Sequence, residues 1–554
     1  MMHLLNNLVI GTIELNQNQE IILFMSPQRQ NLILIIIALI LVVLFSSWFT
    51  VWDFGLVDDG YIPMTYARNI AQGHGIVFFP GGEKIEGYTS PLWTFWLTLC
   101  ALCHLPLTVV SQVTSLLSAF GLIVLSIFAY RNIFYDQKSG MIFNALFWPL
   151  AAGLAVASDV SLAAYSLSGM ETTAYSFILL LLCYALIRRW PDIAVCILML
   201  IISMTRPEGP AFWFLCLAYW LFHKRLSKSL ILLFITTVVV PYSLFIGFRF
   251  LYFGQPLPNT FYAKHNFGGL HLAWRGLEYT YYFFRPRPLF LFAVFGLLLE
   301  RKAYRAVSVG ALMFALLHTA LVIMEGGDHF TLHRFMIPAI AFFSILSIRG
   351  LQLCIDRLIV TKFTNPTYLC KFVINTLIAV IVLILIPAHG TQLTEFSAAT
   401  PCNFAQGAKY HLSTVKWTRS WANVGIWLKE KYPPETLIAV INAGAIPYHC
   451  ELRCIDMLGL NDSVIAHTPL KYENLCLPGH DKSNSDYVLE CKPQLIQLFP
   501  LLFFTSKPYP EDKLVEMITY PAQMDMWQDQ RFHQLYEYRT EETRFGFISF
   551  FERK

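Results

Sequence analysis

Residues 32–51 read LILIIIALILVVLFSSWFTV, twenty positions without a charge, and Val57-Asp58-Asp59-Gly60-Tyr61 follows shortly after. As a helix such a run rises about 30 Å, the depth of a bilayer core, so it reads as one full membrane crossing that delivers two adjacent carboxylates to a membrane surface. Residues 1–30 contain Glu14, Glu20 and several Asn and lack the basic start, apolar middle and small-residue cleavage site of a signal peptide. They read as a cytoplasmic lead-in, disordered or interfacial.

Further apolar runs lie near 105–130, 141–157, 172–187, 193–204, 211–222, 229–248, 288–299, 306–323, 335–348 and 373–388, which with the first predicts about eleven transmembrane helices. Several are short for a span, so their ends extend into the flanking polar motifs or bury against neighbours. Composition agrees: 56% hydrophobic and only 14% charged residues leave too little polar surface for a soluble chain of 554 residues. The net charge of +4 is spread over many loops with no dense basic stripe, which sets nucleic-acid binding aside.

Orientation follows from Lys and Arg, because cytoplasmic loops hold an excess of them. Loops 131–140, 188–192, 223–228, 300–305 and 349–372 hold 14 in 51 residues, whereas 53–104, 158–171, 205–210, 249–287 and 324–334 hold 9 in 122. The first set is expected to face the cytoplasm. Five polar clusters then share the outer face, beginning at Asp58-Asp59, Gly169-Met170-Glu171, Thr205-Arg206-Pro207-Glu208-Gly209, Pro258-Asn259-Thr260 and Gly326-Gly327-Asp328-His329. Pro91 to Cys103 is read as a half-embedded helix of the first outer loop, since a full crossing there would put the most basic loops outside. The expected plan is a lead-in over 1–30, a transmembrane domain over 31–388 with its large outer loop at 53–104, and an extracytoplasmic α/β domain over 389–554.

In that last domain Val415, Trp417, Trp421, Val424, Trp427 and Leu428 mark a helix over 413–431 that Pro433-Pro434 ends. A strand is expected over 436–441, then a turn at Asn442-Ala443-Gly444, with shorter strands at 501–505 and 547–551. Seven of the twelve Cys lie in the membrane region and five in the tail, Cys402, Cys450, Cys454, Cys476 and Cys491. An oxidising compartment permits disulfides there. A closed zinc site at Cys450 and Cys454 would need two more spaced ligands.

Two adjacent carboxylates at a helix exit repel each other and invite a cation, a proton or a hydroxyl donor, so Asp58 and Asp59 suit a general base or metal ligands. A solvated terminus or a capping Asp accounts for them as well. Arg68, Arg206, Arg249, Lys264, His329, His333 and Arg334 come from separate loops on one face and could converge on a phosphate, although each alone reads as a headgroup contact or ion pair. Glu86, Tyr88, Glu171, Glu208, Asn259 and Asp328 are the candidates for holding sugar or acceptor hydroxyls. Helix capping or pairing with those cations is the plain alternative.

As an ordered set these residues resemble a known family. Asp58-Asp59-Gly60-Tyr61, Tyr66-Ala67-Arg68-Asn69, Gly73-His74-Gly75 and Glu86-Gly87-Tyr88-Thr89-Ser90-Pro91-Leu92-Trp93 look like the first periplasmic loop of bacterial GT-C glycosyltransferases, above all the mycobacterial terminal arabinofuranosyltransferases. Gly169-Met170-Glu171-Thr172, Arg206-Pro207-Glu208-Gly209, Pro258-Asn259-Thr260-Phe261-Tyr262-Ala263-Lys264, Gly327-Asp328 with Arg334-Phe335, and Ile455-Asp456-Met457-Leu458-Gly459-Leu460-Asn461-Asp462 continue the likeness over about 30–465. Gly60 stands where relatives often carry Ala, Pro63-Met64 replaces a commoner small or polar pair, and Cys450 and Cys454 depart from the pattern. The first two departures are expected to be tolerated.

The resemblance implies a GT-C fold in the bacterial cytoplasmic membrane and an inverting transfer of a sugar, arabinofuranose among the options, from a polyprenyl-phosphate donor to a glycan, lipid or polysaccharide acceptor of the cell envelope. It implies that Asp58 or Asp59 is the base for the acceptor hydroxyl. In some members acidic residues also hold a divalent metal (Mg, Mn or Ca), which would fall to the same two Asp. Arg206, Lys264 and Arg334, then Arg68, Arg249 and His329, are expected to stabilise the departing phosphate. Phe- and Leu-rich helices after residue 229 would line the prenyl chain. The rival reading is a transporter or a flippase of lipid-linked sugars, which places its charges near mid-membrane and often shows repeated halves; no internal repeat is visible.

Overall fold

The computed structural model describes residues 12–15, 21–24, 32–38, 40–42, 45, 53–134, 142–264, 269–362, 408–472, 479–499, 503–505 and 507–554. Strands β1 (Thr12–Leu15) and β2 (Ile21–Phe24) form an antiparallel ribbon within the lead-in. Up to residue 362 the rest is helical, and burial sorts the helices. The apolar stretch of Thr331–Arg357 is 89% buried, that of Lys228–Phe253 only 17%. The first is the axis of the bundle, packed by Leu107–Phe134, Ile142–Ala157, Thr172–Ile187, Leu291–Leu299 and Lys302–Met324, and the second lies at its edge.

Among the described residues four helices are long and apolar enough to cross a membrane, Leu107–Phe134, Lys228–Phe253, Lys302–Met324 and Thr331–Arg357. A bent pair, Leu270–Phe284 and Pro288–Leu299, meets at 100° and makes five if taken as one span. Shorter apolar helices include Thr172–Ile187, Asp192–Thr205 and Ala211–Phe222. Full-length spans therefore number fewer here than the eleven expected, and the run at 373–388 lies outside the described residues. Lys228–Phe253 carries a π-turn over Ile235–Val239 just before Pro241, where the missing proline N–H frees a carbonyl and loosens the ladder. Pro91–Leu102 rises about 18 Å, too little to cross alone, and exposes Phe95, Trp96, Leu99 and Leu102.

Two expectations need correction. Helix Gly269–Phe284 stands in the middle of what hydropathy reads as an outer loop. Arg275 and Glu278 break its apolar run, yet Leu272, Tyr279 and Phe283 recur at helical spacing and are buried. The axial helix, expected to end near 348, continues to Lys362, because Arg349 there is neutralised by Glu300 and stays buried.

The C-terminal domain begins with Ala408–Lys431 and builds a six-stranded mixed sheet. Strand β3 (Leu437–Val440) lies between β4 (Arg453–Asp456) and β5 (Leu495–Gln497), both parallel to it. Strand β8 (Gly546–Arg553) runs antiparallel to β5, to β6 (Phe503–Thr505) and to β7 (Tyr536–Thr543). Val424, Leu428, Ile438, Ile446, Ile548 and Phe550 join one core with Tyr61, Tyr66 and Trp93 of the first loop, so this domain is fused to the membrane half through apolar packing. β7 escapes sequence reading because YEYRTEET is charged, as a sheet edge tends to be.

Candidate active site

Asp58 and Asp59 occupy a 3-10 turn before helix Tyr61–Ala71 and point to different partners. The Asp58 carboxylate accepts from the backbone N–H of Gly444 (3.1 Å) and Ala445 (2.8 Å), at the start of the short helix Ala445–Cys450. Burial and the neighbouring charge of Asp59 push Asp58 up to about 7 against the pull of those two amides. A Cβ on Gly444 would lie 1.9 Å from the Asp58 carbonyl, so glycine is required for this approach. Asp58 thus ties the first loop to the C-terminal domain.

Asp59 lines a cavity of about 360 Å³ at the junction of the two domains. Its carboxylate forms no hydrogen bond among the described residues, and Arg334 Nη1 stands 3.9 Å from Oδ2. Loss of solvent raises the Asp59 carboxyl above its usual range, opposed by Arg334 and then Lys264. Across the cavity Lys264, at the end of helix Asn259–Lys264, has no hydrogen-bond or ion-pair partner among the described residues. Burial lowers its ammonium below the ordinary value, against Asp59 and Asp328. The Lys264 stem packs on Gly479 of the C-terminal domain, and Leu460 of that domain adds a wall.

The remaining expected site residues divide sharply. Arg334, Arg206, His329, Tyr88, Glu171, Glu208 and Asp328 line the cavity. Within it Asp328 accepts from Arg334 Nε at 2.5 Å, and Arg206 sits between Glu171 (2.9 Å) and Glu208. Glu171, Glu208 and Asp328 therefore hold cations, the plain alternative to gripping sugar hydroxyls. His329 meets His480 edge-on with ring centroids 4.5 Å apart and its Nδ1 lies 3.4 Å from Asp328, while desolvation and then His480 lower its imidazole below the ordinary value.

Arg68, Arg249, Glu86 and Asn259 lie outside the cavity lining. Arg249 donates through Nη2 to Glu86 Oε1 (3.1 Å) and its Nε stands 2.6 Å from Oε2, a buried ion pair across 163 residues. Arg68 donates to the Tyr448 carbonyl and pairs with Glu451 at 3.4 Å. Asn259 Nδ2 donates to the carbonyls of Gly459 (2.8 Å) and Leu460 (3.0 Å). These four were expected to bind donor or acceptor; here they fasten loops together, the charged ones because a desolvated charge is stable only beside its opposite and Asn259 because a buried amide needs its hydrogen bonds. His333 is also buried away from the cavity, against Tyr279 and Phe283.

One charged lining residue was missed. Glu325 follows directly on helix Lys302–Met324, where its charge reads as a plain helix terminus, yet it faces the same cavity. Ile62, Pro63, Met170, Leu257, Phe261, Leu321 and Phe335 give the cavity an apolar side, partly from the helices after 229 as expected. Gly60 is less free than its sequence suggests: a Cβ there would stand 2.6 Å from the Ser168 carbonyl, in the segment that carries Met170 and Glu171.

Among the described residues no three His, Cys, Asp or Glu gather as metal ligands, and Asp58 spends both oxygens on backbone amides. The donor set around the two Asp does not fit a resident metal. Cys450, Cys454 and Cys491 are free thiols, the first two with sulfurs 4.0 Å apart and no third ligand. Cys402 and Cys476 lie outside the described residues.

Residues 408–545 match a family described as a domain of unknown function (DUF8728). Over 278 residues the chain is 28% identical to the terminal beta-(1->2)-arabinofuranosyltransferase of Mycobacterium tuberculosis, a match that takes in 46% of this chain and 42% of that protein. The chain thus spans less than half the length of the curated relative it matches. In fold it is similar to ArnT from Cupriavidus metallidurans bound to undecaprenyl phosphate, with TM-score 0.52 and 14% identity over 95% of this chain and 98% of that one. The likeness to a terminal arabinofuranosyltransferase and the GT-C architecture read from the sequence are both borne out, and the chain is a multi-pass membrane protein.

Proposed function

We propose that the protein is an inverting glycosyltransferase that moves a sugar from a polyprenyl-phosphate donor to a hydroxyl of a cell-envelope acceptor, at the outer face of the bacterial cytoplasmic membrane. The observation that carries this reading is one cavity in which Asp59, a carboxylate without a hydrogen bond among the described residues, stands opposite Lys264 and Arg334. The acceptor oxygen attacks the anomeric carbon while Asp59 takes its proton. As the bond to the phosphate breaks, the electron pair passes to the phosphate oxygen, which Lys264 and Arg334 stabilise, Arg334 already held in place by Asp328. Asp59 is preferred to Asp58 as base because Asp58 is committed to Gly444 and Ala445. Arabinofuranose as the transferred sugar rests on the similarity to the mycobacterial relative. The N-terminus inside and the C-terminal domain outside rest on the distribution of Lys and Arg.

The test is to incubate the purified full chain with a panel of prenyl-phosphate sugars and envelope glycans and to follow products by mass spectrometry. Transfer from one donor, abolished in Asp59→Asn, is the expected result. Movement of the lipid-linked sugar across vesicles without any transfer would establish the flippase instead.

A further inference from the structure

The charges around the cavity do not balance for an anionic ligand. Glu171 and Glu208 flank Arg206, and Asp328 holds Arg334. Among the described residues that leaves Lys264 as the lining cation without a direct partner, against two carboxylates, Asp59 and Glu325. Were every acid ionised, the walls would carry five negative and three positive side chains and would repel a phosphate. The cavity nonetheless offers unused hydrogen-bonding atoms: Glu208 Oε2 and Thr260 Oγ1 are buried without a partner, on residues more than nine-tenths buried that line it.

Resting on the reading of this cavity as a donor site, we propose that Glu325 meets the donor as a neutral acid, its hydroxyl donating a hydrogen bond to a non-bridging phosphate oxygen. The surplus negative charge is thereby removed and a donor is added where an anion must bind. Glu325 follows directly on helix Lys302–Met324, and its surroundings favour the protonated form. Desolvation and then Glu208 push its carboxyl up to about 8, while Arg206 and Lys264 pull it down and Asp328 pushes with Glu208. Arg275, from helix Gly269–Phe284, is spent on the carbonyls of Gly326 and Asp328.

The probe is a prenyl methyl phosphodiester, whose single charge does not change between pH 7 and pH 9.5, and its Kd is measured with the full chain in detergent across that range. Affinity of the native protein is expected to fall about tenfold as Glu325 ionises, the worth of one charge-assisted hydrogen bond. In Glu325→Gln, which donates a hydrogen bond at every pH, affinity is expected to stay level over the same range. Glu325→Asp, which withdraws the acid by one methylene, weakens binding at pH 7 and serves if the first variant does not fold. A parallel fall in Glu325→Gln would assign the pH dependence to Lys264 and overturn the proposal, as would a level curve in the native protein. Absence of binding at any pH would instead refute the donor reading of the cavity, and this proposal with it.

Discussion

The two ends of helix Lys302–Met324, about 35 Å apart, each gather charged and polar side chains and are finished differently. At its start Glu300 accepts from Arg349 through both oxygens (2.8 and 2.9 Å), Arg349 also donates to Gln352, and Tyr130 donates to Gln352 at 2.6 Å. Among the described residues no fully buried polar atom of these side chains is left without a partner. At its other end the side chains of Asp59, Lys264 and Glu325 have no hydrogen bond among the described residues, and Glu208 and Thr260 keep an idle atom each. A completed buried network fixes helices; an incomplete one keeps interaction capacity for a ligand.

Breaking the incomplete end should stop chemistry and spare the fold. Asp59→Asn is expected to lower kcat about 10³-fold with normal yield, the usual worth of a positioned base, read in the transfer assay. Breaking the completed end should do the reverse. Arg349→Met leaves Glu300 buried and unpaired, at a cost of about 3–5 kcal/mol, measurable as lowered thermal stability in detergent, with kcat per folded molecule retained. If Arg349→Met silenced transfer without loss of stability, the contrast would fail.

Lys264→Met sharpens it further. The cation has no ion pair to lose, so stability should hold while kcat drops about 10²-fold. Asp58→Asn is intermediate in kind: it weakens the bonds from Gly444 and Ala445 by about 1–2 kcal/mol, visible as faster hydrogen exchange over 444–450, with a far smaller fall in kcat than Asp59→Asn. The smallest effect is on pH. A base must be ionised to act, and Asp59 is raised above the usual carboxylate range, so the acidic limb of the kcat profile should lie above that of an ordinary Asp.

Much of this was legible in the residues. The apolar runs locate helices such as Thr172–Ile187 and Ala211–Phe222 at their exact expected bounds, because burial in lipid leaves little choice of residue along a span. The cavity-facing set Asp59, Lys264 and Arg334 could be named, since charges at a membrane boundary are few and costly. What could not be seen was the division between working and fastening charges. Glu86 meets Arg249, Asp58 meets Gly444 and Asn259 meets Gly459 across 163, 386 and 200 residues, and no local pattern specifies such pairs. Helix Gly269–Phe284 was hidden by Arg275 and Glu278, the first of which is accommodated by the distant carbonyls of Gly326 and Asp328.

From its sequence alone the chain was bound to place apolar helices in a bilayer and a few acids and bases at its edge, because transfer free energies act residue by residue and need no partner. Tertiary structure decided which of those acids and bases are consumed by one another and which remain facing an open cavity. That choice depends on distances of a few ångströms between segments hundreds of residues apart, in surroundings of low polarity where an ion pair and a lone ion differ by several kcal/mol.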